Sequence, residues 1–140
     1  MRLWHDIINH MLSENKINLI QKVFEANNVK LGYLFGSQAT GNIGSLSDYD
    51  FAVYLATNDP KLVFVKKISI QTAISQILGT DQVDIVVLDT ASGSELKYNI
   101  IKDGKIIFEK EPYKITLEPA ILNEYFDFKT SLRQFGLTKT

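Results

Sequence analysis

The segment YLFGSQATGNIGSLSDYDFAVYL, residues 33–55, decides how this chain folds. Two apolar runs flank a polar loop. The first run ends in Gly36-Ser37, and ten residues later Asp48-Tyr49-Asp50 opens the second. A Gly-Ser turn leaving a buried strand presents backbone N–H groups that can hold an anion. Two aspartates at spacing two on a strand share one face, while Tyr49 between them takes the other. A phosphate cradle opposite a pair of hard oxygen ligands is what a magnesium–nucleotide site requires. Phe51 to Leu55 follow without polar alternation, as in a strand buried on both faces. Two carboxylates entering such a strand are costly unless paired or metal-bound.

A third apolar run, VDIVVL at residues 83–88, carries Asp84. Neighbouring strands lie about 4.8 Å apart, so an adjacent strand in register brings Asp84 beside the other two carboxylates. Its place among branched apolar residues favours it over Asp81 and Asp89, because an unpaired charge there is expensive.

The arrangement of Gly36-Ser37, ten residues, then Asp48 and Asp50 resembles the nucleotidyltransferase superfamily related to DNA polymerase β. The short chain is most similar to its minimal members, the MNT antitoxins encoded beside HEPN toxins. The resemblance covers residues 29 to 110 or so, and implies a nucleotidyltransferase fold. It implies metal binding by Asp48 and Asp50, metal or base duty for Asp84, and nucleotide contacts from Gly36 and Ser37. It also implies two Mg²⁺ ions and ATP as substrate, with AMP passed to a tyrosine hydroxyl of a HEPN ribonuclease partner and pyrophosphate released. Many relatives carry arginines after the Gly-Ser pair; here Gln38 and Thr40 stand in those places, although Ala39 and Gly41 match.

Composition is ordinary for a soluble globular protein. The 140 residues are 45% hydrophobic and 22% charged, enough for one domain with a proper core. Fifteen basic and sixteen acidic side chains leave a net charge of −1, so no global attraction to nucleic acid or anionic membrane is implied. The chain has no cysteine, which removes disulfide and thiolate chemistry and fits the cytosol. No run approaches a membrane span, no secretory leader is recognisable, and no linker or repeat divides the chain. No lysine follows a glycine run in the Walker pattern, so phosphate handling differs from that of P-loop enzymes.

The expected fold is α/β (α+β), a small mixed sheet of about four strands flanked by helices. Leu3, Trp4, Ile7, Ile8, Met11 and Leu12 predict an amphipathic first helix, ended by Ser13 and Asn15. Ile17, Ile20, Val23 and Phe24 predict a second, closed by Asn27-Asn28. Strands are expected over 29–35, 48–55, 81–88 and 105–108. Asp59-Pro60 caps a helix that Gly79 stops. Ser92-Gly93-Ser94-Glu95 matches a capping box for a short helix with Leu96 and Ile100 inward. Pro119 is expected to open the last helix, and Gly136 to end it. His5 and His10 sit about 140° apart around a helix and cannot share a metal there.

Taken as one domain over 1–140, the chain has a core at about 29–110 and a C-terminal helix at about 118–135, with little room for an acceptor-binding domain. The acceptor is therefore expected to be a partner protein, in a hetero-oligomer, with the aromatic last helix and the first helix as candidate docking surfaces. Two other functions fit the same residues: nucleotidyl transfer to a small molecule such as an aminoglycoside, and an antitoxin that acts by binding alone.

Overall fold

The computed structural model describes residues 12–36 and 49–136. Four helices and four strands alternate along them: α1 (Glu14–Ala26), β1 (Leu31–Phe35), β2 (Tyr49–Tyr54), α2 (Pro60–Leu78), β3 (Val83–Val87), α3 (Ser94–Asp103), β4 (Lys105–Glu109) and α4 (Tyr113–Gln134). The first-helix expectation over Leu3 to Met11, with Trp4, His5 and His10, lies outside the described residues, as does the loop from Ser37 to Asp48.

The strands form one mixed sheet in the order β3-β2-β1-β4. β1 is antiparallel to β2 and to β4, whereas β2 and β3 run parallel and are joined by α2 as the crossover. Alternation of side chains sends the central strands into two separate cores. On one face Leu34, Phe51, Val53 and Ile85 meet Ile20 and Phe24 of α1 and Ile70 and Ile74 of α2. On the other, Leu31, Tyr33 and Ala52 meet Ile100 of α3, with Tyr113 and Leu117 of α4 packed around them. The sheet is thus a middle layer between two helix pairs.

Local chemistry sets most element boundaries. Ser13, expected to stand between two helices, is the non-helical N-cap of α1, its hydroxyl accepting from the Lys16 N–H at 3.2 Å, whereas Asn15 lies inside the first turn. Asp59 caps α2 by accepting from the Lys61 N–H, with Pro60 at the first helical position and Gly79 in the left-handed conformation at the end.

Two boundaries depart from expectation. α3 begins at Ser94 with Gly93, not Ser92, as N-cap and no side-chain cap, so the capping box does not form; the Ser94 hydroxyl is donated to Glu124 on α4. Ile100 is buried, but Leu96 is 40% exposed rather than inward. α4 begins at Tyr113, and Pro119 lies within it. Proline there removes one intrahelical hydrogen bond. The helix continues because Tyr113, Leu117 and Ile121 dock on its inner side while Ile115 and Pro119 face outward.

Tyr33 ties α4 to the middle of the sheet. Its ring is fully buried and its hydroxyl donates to Glu118 Oε2 at 2.7 Å. Burial, then the Glu118 carboxylate, pushes the phenol far above its ordinary value of 10.0. The neutral form is the one the fold stabilises. That stability is present in full below pH 10 and is lost as pH rises beyond it. Chemical denaturation across pH 7–11 should therefore show declining stability above pH 10 for the wild type. Tyr33→Phe should cost about 1 kcal/mol at neutral pH and flatten the alkaline decline.

Candidate active site

β1 ends where β2 and β3 begin, and this end of the sheet gathers the acidic residues. The β2–β3 ladder pairs Asp50 with Asp84 directly, between the pairs Tyr49–Val83 and Phe51–Ile85. Register partners in a parallel ladder point to the same side. Since Phe51 and Ile85 enter the α1/α2 core, Asp50 and Asp84 face the α3/α4 side. β1 brings its end to the same place, with Phe35 opposite Asp50.

The two carboxylates differ in their surroundings. Asp50 is buried, at 7% exposure, whereas Asp84 is exposed. The expectation that Asp84 is embedded in apolar surroundings is corrected here. Val83, Ile85 and Val87 turn into the α1/α2 core, while Asp84, on the opposite face of an edge strand, opens to water. Its neighbours in sequence are not its neighbours in space.

Gly36 completes the arrangement. It has φ of +79°, and a Cβ at this position would fall on the Asp50 carboxylate. The glycine therefore does two things: it permits the left-handed bend, and it leaves room for the Asp50 side chain against the backbone. Ser37, Asp48, Gln38 and Thr40 lie outside the described residues.

Like charges side by side on adjacent strands repel. A divalent cation bound by hard oxygen donors offsets that repulsion, so Asp50 and Asp84 fit a magnesium-type ion by donor chemistry and by placement. Asp89, just beyond the end of β3, serves the opposite end of the sheet. Its two oxygens accept from the Leu55 and Thr57 N–H groups at 2.8 and 3.0 Å and brace the turn into α2. Sequence reading did not assign that role, and an aspartate following a strand gives little signal for it.

With this geometry in hand, residues 18–113 match the polymerase beta nucleotidyltransferase family, and the chain belongs to it. Among curated proteins it is similar to the protein adenylyltransferase MntA of Aphanizomenon flos-aquae (strain 2012/KM1/D3). The two are 35% identical over 88 residues, 59% of this chain and 58% of that protein, so the chain spans little more than half of that relative's length. Among solved structures it is similar to a toxin–antitoxin crystallised with AMP-PNP, at 27% identity and a TM-score of 0.68, covering 89% of this chain and 95% of that one. It is also similar to a toxin–antitoxin MntA-HpeT mutant in which two aspartates two positions apart are glutamates. That match has 25% identity and a TM-score of 0.69, with the same coverage. Among the described residues no helix is long and apolar enough to cross a membrane.

Three substitutions separate the roles of these residues. Gly79 has the same left-handed backbone, φ +69°, but a Cβ there meets nothing within 4 Å. Gly79→Ala should lower stability by about 1 kcal/mol through backbone strain alone and leave Mn²⁺ binding unchanged. Gly36→Ala should carry that strain and also weaken Mn²⁺ binding, read by electron paramagnetic resonance, by about tenfold or more. Asp89→Ala should cost about 2 kcal/mol in denaturation while Mn²⁺ affinity stays at the wild-type level.

Proposed function

We propose that this chain is an antitoxin enzyme that transfers AMP from ATP to a tyrosine hydroxyl of a HEPN ribonuclease partner and so silences it. The observation that carries the reading is the in-register pair of Asp50 and Asp84 beside the Gly36 bend. Family membership supports nucleotidyl transfer as the reaction type. The likeness to a protein adenylyltransferase supports a protein acceptor, and the likeness to a toxin–antitoxin holding AMP-PNP supports an adenine nucleotide. We take residues 1–140 as a single domain acting in the cytoplasm, in a complex with the toxin.

Each residue has a part in the proposed reaction. The tyrosine oxygen attacks the α-phosphorus, the new P–O bond forms in line with the breaking one, and pyrophosphate departs. Magnesium, when bound, supplies positive charge to the phosphate oxygens and lowers the cost of forming the attacking oxyanion. Asp50, buried and held against Gly36, is suited to a fixed ligand position. Asp48, two residues earlier in the sequence, is proposed as its companion ligand. Asp84, exposed at the mouth of the site, can both bind metal and accept the tyrosine proton on a carboxylate oxygen. An accessible base suits an acceptor that arrives on another protein. Gly36 gives the phosphates close access to backbone N–H groups, and Ser37 is proposed to donate its hydroxyl to them.

The test is direct. Incubation of the chain and its purified HEPN partner with Mg²⁺ and labelled ATP should leave covalent label on the partner. Asp50→Asn should reduce transfer about a hundredfold or more, comparable to losing a key transition-state contact. Asp84→Asn should reduce transfer and alter its pH profile. Toxin neutralisation without any label would mean that the chain acts by binding alone.

A further inference from the structure

We infer that the N-terminal half of α2 is a docking face for a partner protein that presents an apolar surface with an acidic rim. The inference rests on the proposed function in taking that partner to be the HEPN toxin. It uses a surface unrelated to the carboxylates, and one that neither the last helix nor the first helix supplies.

α2 is attached to the sheet by one narrow side. At 100° per residue, Val63, Ile70 and Ile74 fall within an arc of about 40° facing the core. Phe64, Val65, Ile68 and Leu62 occupy the opposite arc, about 160° wide. They are 64%, 61%, 48% and 39% exposed. Four large apolar side chains together on the water-facing side of a helix are the pattern of an interaction site, unlike single exposed residues. The patch is confined to the first half of the helix. Further along, the same side carries Ser69, Thr72, Ser75 and Gln76.

Charge selects the partner. Lys67 borders the patch on one flank and Lys66 on the other, and α2 contains three lysines and no acidic residue. An isologous contact between two copies would set this one-signed rim against itself, which is unfavourable. An anionic membrane would match the lysines, but a chain of net charge −1 has no overall attraction to one. A protein face with apolar anchors and surrounding carboxylates satisfies both the patch and its rim.

Binding of the purified HEPN partner, measured by calorimetry, tests this. Val65→Glu/Ile68→Glu should weaken binding by about tenfold or more, as expected for central apolar anchors. Lys66→Glu/Lys67→Glu should weaken it and flatten its salt dependence. Both double variants should keep wild-type thermal midpoints and Mg-ATP affinity, since Val65, Lys67 and Ile68 are exposed, Lys66 is half-buried at the margin of the patch, and α2 covers the sheet face opposite the carboxylates. Binding by the wild type that both variants retain overturns the surface and leaves the antitoxin reading standing. Absence of binding by the wild type overturns both. Three further outcomes overturn the proposal by naming another occupant. One is a homodimer in sedimentation that Val65→Glu/Ile68→Glu dissociates. A second is binding to phosphatidylserine vesicles that the same variant loses. The third is an Ile68→Cys thiol shielded in the isolated chain and uncovered when residues 1–11 are removed.

Discussion

The parallel pairing of β2 with β3 is the constraint on which the site depends, because it holds Asp50 beside Asp84 despite the repulsion between them. A ladder of backbone hydrogen bonds fixes the register, and a slip of one residue would turn either carboxylate to the other face. The register is locked from the opposite side, where Phe51, Val53, Ile85 and Val87 are buried against α1 and α2. Apolar burial on one face thus maintains an electrostatic conflict on the other.

Burial divides the labour between the two acids. A carboxylate closed in against a glycine has few orientations available, which suits a ligand whose position must not vary. A carboxylate open to water keeps its freedom and its access to an incoming hydroxyl. The same strand alternation that separates the two cores therefore also yields two acids of different character. Gly36 belongs to this arrangement too, since its missing side chain is where the Asp50 carboxylate lies.

The helices show where local signals prevail and where packing overrides them. Asp59, Pro60 and Gly79 each act through their own backbone geometry, and α2 has the limits they specify. Pro119 carries an equally strong local signal, yet α4 passes through it. The apolar contacts of Tyr113, Leu117 and Ile121 outweigh one lost hydrogen bond. The N-cap of α3 falls on Gly93 rather than Ser92, and Ser94, first in the helix, joins Glu124 on the neighbouring helix in a cluster with the Lys97–Glu124 ion pair at 2.9 Å. In α2, apolar content exceeds what the sheet can cover, and the surplus forms the exposed patch. Its caps marked the ends of the helix but not which of its apolar residues the sheet would reach.

By itself the sequence determined the fold class, the four strands, the order of elements after residue 12 and the family, because these follow from short-range patterns: apolar runs, caps, turns and the Gly-Ser and Asp-x-Asp spacing. It singled out Asp50 and Asp84 by residue type. Tertiary structure alone decided that Asp84 is Asp50's register partner, that it is exposed rather than embedded, that Asp89 braces a distant turn, and that half of α2 is left uncovered. Those outcomes depend on which strand lies at the sheet edge and which faces meet. Such long-range choices are made by the summed burial of many side chains, and no single stretch of sequence records them.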